Sequence, residues 1–313
     1  MKLLNDTAFL EVLKNRATGS RLEYKAFYSS FLGGITTETH HMIVPLDDHM
    51  VHRGDAVFEA MKFTDAGIYA LDRHLERLEV SAANIALKLS MSRAEFSDMI
   101  IETVRASGLR EGIIRLFVSR GPGGFTTNPF ETTGTQVYCA ITTYKAPAAA
   151  KYENGVVTML SSYAVKEGFF ARTKTCNYLP NVLMKKESLD RGVDFVVTRD
   201  EDGYLAEGST ENFAIIAADG KLVMPTFDRI LKGITAVRAL ELAKEIGIGS
   251  DVRRFREDEV KTAKGAVMMG TTIDILPVQS FENHKFGAIP AETTALRKAF
   301  AQDLASGPLL TAY

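Results

Sequence analysis

The apolar positions of this chain change period several times, and each change marks an element. Ala8, Phe9, Val12 and Leu13 recur at helical spacing near the start, and an aromatic stripe of Tyr24, Phe27, Tyr28 and Phe31 runs on to the pair Gly33-Gly34. Such a stripe is ordinary packing, so residues 1–35 are an extension to which no chemistry is assigned. From Ile43 a strand leads into the polar turn Leu46-Asp47-Asp48. HRGDAVFEAMKF then alternates after Gly54 as a half-buried strand does, which puts Phe58 and Lys62 on one face and Glu59 on the other. A hairpin at Asp65-Ala66-Gly67 returns through IYAL to a helix that starts near Asp72, a fitting N-cap, and carries His74, Arg77 and Leu78. Arg93–Ser107 reads as a further helix with a structural role.

The strand Gly112–Ser119 runs into Arg120-Gly-Pro-Gly-Gly-Phe, a loop whose glycines let backbone approach a ligand closely. No helix start follows it directly, so it is not a dinucleotide-binding glycine motif. After the strand QVYCAITTY comes a Pro/Ala-rich connector, which predicts domains over 1–145 and 153–313 with residues 146–152 as the linker. Beyond it, Lys174 stands on a strand-like segment before a helix that opens near Pro180 and closes at Gly192. The strand DFVVTRD, a turn over Asp200–Gly203 and a second extended run carrying Glu207 follow. Asp219-Gly220 makes a hairpin between NFAIIA and KLVMP. Leu231-Lys232-Gly233-Ile234-Thr235 then opens a helix that ends at Gly247, and free N–H groups with a hydroxyl at a helix start form a ready phosphate site. The apolar strand AVMM ends in Gly270-Thr271-Thr272, and Ala291–Ala305 is a last helix.

Composition narrows the partners. Over 313 residues, 46% hydrophobic content suffices for buried cores, while a net charge of -2 gives no long-range pull towards nucleic acid or an anionic membrane. Small molecules are the expected ligands. Cys139 and Cys176 form neither a CxxC unit nor a disulfide framework, and no secretory signal or long apolar run opens the chain, so the cytoplasm is the expected compartment. His40, His41, His49 and His52 lie close in sequence, but their spacing fits no ligand motif and no metal is expected.

One pair of residues suggests chemistry. Lys174, in KTCNYL, and Glu207, in AEGSTENF, are the residue types that Schiff-base chemistry requires. A lysine amine attacks or forms an imine only when deprotonated, and a pyridine cofactor needs a carboxylate beside its ring nitrogen to act as an electron sink. On the pair alone, a solvated lysine and a turn carboxylate outweigh that reading.

Five blocks in order change the balance: HRGDAVFEAMKF, RHLERL, KTCNYLPNVL, AEGSTENF with LKGITAVRALELA, and MGTTIDILPV. Together they resemble the class IV (fold type IV) pyridoxal phosphate enzymes, which comprise branched-chain aminotransferases, D-amino acid aminotransferases and aminodeoxychorismate lyases. The resemblance implies an α+β fold with a smaller N-terminal domain, a larger C-terminal domain with a barrel-like β core, and a homodimer. It implies that Lys174 carries pyridoxal 5'-phosphate and shuttles the substrate proton, that Tyr178 bonds the cofactor's phenolic oxygen, and that Glu207 keeps the ring nitrogen protonated. Arg77, Ile234, Thr235 and Thr271 would anchor the phosphate, while Phe58, Arg115, Arg120 and Thr272 would meet an amino acid and a 2-oxo acid. Arg120, in V-S-R-G, would take a substrate carboxylate through its planar donor fork. Phe58 is followed by Glu59-Ala60 where the lyases carry threonine, and Ile113 replaces the tyrosine of the branched-chain enzymes. D-amino acid transamination is therefore favoured, with the lyase and branched-chain activities as alternatives.

Overall fold

A computed structural model describes residues 1 and 3–313. It divides into two compact units, Met1–Tyr144 with Leu310–Tyr313, and Lys145–Leu309. In chain order the first 144 residues form α1 (Asp6–Asn15), β1 (Tyr24–Ser29), β2 (Gly34–Thr36), α2 (His49–Arg53), β3 (Ala56–Thr64), β4 (Gly67–Tyr69), α3 (Leu71–Asn84), α4 (Arg93–Ser107), β5 (Gly112–Ser119) and β6 (Gln136–Thr142). The remainder forms α5 (Ala149–Asn154), β7 (Val156–Leu160), α6 (Gly168–Arg172), α7 (Leu179–Asp190), β8 (Phe195–Val197), β9 (Asn212–Ile216), β10 (Leu222–Met224), α8 (Ile234–Glu245), β11 (Ser250–Val252), α9 (Glu257–Thr262), β12 (Gly265–Gly270), β13 (Asp274–Phe281), β14 (His284–Lys285), α10 (Ala291–Ser306) and β15 (Leu310–Thr311).

The first unit is an antiparallel sheet in the order β15-β4-β3-β5-β6-β1-β2. One face carries Val57, Met61, Ile114, Leu116 and Val118, and these pack with Leu75 and Leu78 of α3 and Phe96, Ile100 and Val104 of α4 in one core. Burying each side chain of this size contributes roughly 1.5–3 kcal/mol. α4 forms where it does because Ser92 and Glu95 cap each other's backbone N–H groups, and Gly108, in the left-handed region at φ 65°, ends it. On the opposite face Phe58 stacks on Phe117 with ring centroids 5.8 Å apart.

The second unit holds an eight-stranded mixed sheet in the order β11-β10-β9-β12-β13-β7-β8, with β14 beside β13. Its β8 end is linked back to β9. Thr198, just past β8, bonds the backbone of Ala206 and Glu207, and Glu207 bridges Asn212 at the start of β9. That contact closes a ring of strands around a core of Phe213, Ile215, Met268, Leu276 and Phe281, as the barrel-like core expected from the sequence. α8 and α10 are joined by a buried ion pair in which Arg238 donates to both Asp303 oxygens at 2.7 and 3.0 Å. Among the described residues no helix is long and apolar enough to cross a membrane.

Several sequence expectations are corrected. Residues 43–46 form no strand, and HMVHR is the helix α2, capped by the Asp48 side chain on Met50 N at 2.9 Å. Asp72 lies inside the first turn of α3; the cap position belongs to Ala70, held at φ 55°. The expected linker contains α5 from Ala149, and the chain's last four residues belong to the first unit through β15. DFVVTRD is a strand only over Phe195–Val197, because the ladder passes there to the bridges that close the ring.

Candidate active site

The ring closure of the second unit gathers the candidate chemistry. Gly208 N donates to Glu211 O at 2.7 Å, a tight turn that returns the chain from Glu207 to Asn212. β9 then pairs with β12, Asn212 opposite Met269, which sets Gly270, Thr271 and Thr272 at the same edge as Glu207. Asn212 also reaches the approach to α8: its Nδ2 donates to Leu231 O at 3.0 Å and to Glu207 Oε2 at 3.3 Å. Leu231 N donates to the same Glu207 oxygen at 3.1 Å. Gly233 is required here, since a β-carbon at that position would collide with Asn212 Oδ1. Glu207 and the amide-rich start of α8, with Ile234 and buried Thr235 as its first residues, are thus tied together by one asparagine.

Lys174 stands on an extended link between α6 and α7, not in a strand, with Thr173 pinned by a 2.8 Å bond from its hydroxyl to Phe169 O. Pro180 in the first turn and Tyr178 at the cap start α7. Asn181 Nδ2 donates to Ser209 O and so docks the helix start on the turn after Glu207. The Lys174 ammonium lies 5.8 Å from the centre of the Tyr178 ring.

Glu207 is electrostatically unusual. Burial pushes its carboxyl up to about 7, against the lowering effects of Lys166, of the Leu231 amide and of Lys174, while Glu211 adds to the rise. A carboxyl poised near neutrality, oriented by two donors, can both accept a strong hydrogen bond from a cationic ring N–H and stabilise its charge. Lys166, which the sequence reading passed over, is the first of the two lysines acting on it, and no local motif marks Lys166.

The other candidates belong to the first unit. Arg77 is gripped along one edge: its Nε and Nη2 donate to the two oxygens of Glu59 at 2.8 and 2.7 Å. Glu59 is fully buried beneath α3, and His74 Nδ1 lies 2.7 Å from its Oε2. Burial alone would raise the Glu59 carboxyl, but the charge and hydrogen bonds of Arg77, with those of His74, hold it down at about 2. Phe58 and Arg115 lie on the other face of the sheet, Arg115 opposite Ala60 and exposed.

Arg120 departs from expectation. Its Nε and Nη2 grip both oxygens of Asp55 at 2.6 and 2.9 Å, and the guanidinium also donates to Ile85 O and Ala86 O. The donor fork expected to meet a substrate carboxylate is spent on Asp55, so Arg120 acts as a clamp between the start of β3 and the end of α3. The loop that follows is held instead from α2, where His49 Nε2 bonds Gly124 O at 3.0 Å and Arg53 donates to Phe125 O and Thr126 O at 2.5 and 3.2 Å.

Comparison with known proteins identifies similar sequences and folds. The sequence matches the amino-transferase class IV family over residues 56–281. It is 36% identical to the chloroplastic D-amino-acid transaminase of Arabidopsis thaliana, over 95% of this chain and 83% of that protein. The crystal structure of the Escherichia coli branched-chain amino acid aminotransferase superposes with a TM-score of 0.84 at 26% identity, covering 91% of this chain and 95% of that one. A further branched-chain amino acid aminotransferase, solved with pyridoxamine 5'-phosphate, gives 0.86 at 25% identity over 92% and 98% of the two chains.

Proposed function

Since the chain belongs to the class IV aminotransferases and is a pyridoxal-phosphate-dependent transaminase of fold type IV, we propose that Lys174 is its reactive lysine and Glu207 the partner of the cofactor's ring nitrogen. The observation that carries this reading is the anchoring of the Glu207 carboxyl, by Leu231 N and Asn212 Nδ2, beside the start of α8 and the strand end at Thr271. When bound, the cofactor supplies an electron sink for the charge left on the substrate when its α-proton departs. The protein supplies the rest. Lys174 carries the proton between neighbouring carbons as general base and then acid. Tyr178, fixed at the start of α7, is proposed to bond the phenolic oxygen. Ile234, Thr235 and Thr271 offer the amides and hydroxyls that a phosphate dianion needs, and Thr272 is proposed to face the substrate carboxylate. Arg77 is proposed as a phosphate contact, and Phe58 and Arg115 as substrate contacts.

A D-amino acid is the substrate class favoured, supported by the similarity to the Arabidopsis enzyme, by Glu59-Ala60 after Phe58 and by Ile113 before Arg115. Arg120 no longer contributes to that preference, because Asp55 occupies it. A homodimer in the cytoplasm is proposed as the working form, and in it the exposed Leu46, Phe125 and Phe130 would find cover. The test joins trapping to a substrate panel. Borohydride treatment of the loaded protein is expected to label Lys174, and Lys174→Ala to abolish both labelling and turnover. D-alanine and D-glutamate should yield keto acids faster than L-leucine. Rapid release of p-aminobenzoate from aminodeoxychorismate without transamination would reassign the chain to the lyases.

A further inference from the structure

Lys166 has no role in the reading above, yet the fold delivers it to the same place as Lys174. Past β7, Ser161 N donates to Val197 O at 2.8 Å and Val165 N to Arg199 O at 3.1 Å, so the segment leading to Lys166 runs alongside the end of β8. On its other side that segment's neighbour, Thr198, holds Glu207 by a 3.0 Å backbone bond and a 2.8 Å bond from its hydroxyl. Lys166 therefore follows a backbone pinned one residue away from the partner of Glu207. Its ammonium lies 5.2 Å from the centre of the Tyr178 ring, the ring that Lys174 approaches at 5.8 Å. Two lysines share one aromatic ring, and both face one carboxylate.

Their duties cannot be the same. A lysine that attacks a carbonyl or takes a proton must give up its own charge, and while it does so it is no counter-ion to anything. A half-buried carboxylate left without a cation takes up a proton and ceases to stabilise a positive ring nitrogen. We propose that Lys166 is a positioning residue that acts through Glu207: it is the standing cation that keeps the Glu207 carboxylate ionised, so that Lys174 is released to react. The charged groups facing Glu207 are Lys166 on the link before α6, Lys174 on the link after it, and Glu211 in the turn before β9; the Leu231 amide adds a fixed dipole. Of the two cations, Lys166 acts on Glu207 more strongly, and burial lowers its own pKa while Glu207 raises it, as a coupled pair requires.

The inference rests on Glu207 being the ring-nitrogen partner for its meaning, but its test does not. The full chain, freed of cofactor and labelled with carboxyl-13C glutamate, is titrated by NMR, with Glu207→Gln identifying the resonance. Lys166→Met is expected to raise the Glu207 midpoint by about one pH unit, the scale on which a nearby opposite charge acts. Lys166→Arg should return it close to the parent value, and Lys174→Met should shift it less than Lys166→Met does. Should Lys166→Met fold poorly, Lys166→Gln carries the same expectation. A Glu207 midpoint that stays at the parent value without the Lys166 charge overturns the proposal. Failure of borohydride to label Lys174 would overturn the cofactor assignment and leave this result standing.

Discussion

Glu59 and Glu207 are both carboxylates withdrawn from water, yet the first is held down at about 2 and the second pushed up to about 7. Burial raises both. What separates them is the geometry of their partners. Glu59 receives a two-point grip from Arg77 at 2.7 and 2.8 Å and a third contact from His74, all from one rigid helix. Glu207 has one amide at 3.1 Å, one amide side chain at 3.3 Å and the charges of two ammonium groups, Lys166 and Lys174. A saturated carboxylate is a structural charge; an undersaturated one keeps capacity for a partner that arrives later.

Three measurements sharpen that contrast. Glu59→Gln should cost most, about 3–5 kcal/mol in denaturant unfolding, because it removes the fully buried carboxylate that pairs with partly buried Arg77. A loss under 1 kcal/mol would show that the pair contributes little. Next comes acid. The folded Glu59 carboxyl lies below its ordinary value of 4.5, so between pH 4.5 and 2 the unfolded chain takes up a proton that the folded chain refuses. Stability supplied by this group is therefore complete above pH 4.5 and should fall by about 3 kcal/mol as pH drops towards 2. A Glu59→Gln chain should lack that component. The smallest effect has the opposite sign. Glu207 lies above its ordinary 4.5, so the folded state keeps a proton that the unfolded state loses, and stability falls as pH rises from 4.5 to 7. Glu207→Gln should remove this decline, gain about 1–2 kcal/mol at pH 8 in cofactor-free protein and lose turnover by orders of magnitude. A Glu207→Gln chain that unfolds more easily than the parent at pH 8 would place Glu207 with Glu59 as a structural charge.

Local chemistry was legible in the sequence, and distant pairing was not. The helix Arg93–Ser107 and the hairpin at Asp65-Ala66-Gly67 depend on residues a few positions apart, and both occur where the pattern put them. Lys174, Tyr178 and Glu207 stood out because ordered blocks surround them, and the second unit gathers all three. The pairing of Arg120 with Asp55 was not legible because the two lie 65 positions apart, and an arginine in a glycine-rich loop carries no mark of whether its fork is already taken. Lys166 was missed for the same reason: its meaning lies in the neighbours that ring closure brings to it. The helix α2 escaped because five polar and apolar residues in HMVHR show no complete period; the Asp48 cap decides it.

The strand Leu310–Thr311 completes the edge of the first sheet beside β4, with Leu310 opposite Tyr69, although the whole second unit intervenes in the chain. During synthesis the host sheet therefore waits with β4 as an open rim while the intervening unit is made, and an unpaired rim invites wrong pairing. The fit at this seam leaves little room for a substitute: a β-carbon at Gly67, which sits at φ 137°, would meet Thr311 O at 2.7 Å. The chain is thus organised as a continuous guest inserted into a split host. The guest's borders enclose one uninterrupted stretch, whereas the host becomes whole only when a short tail returns to seal it.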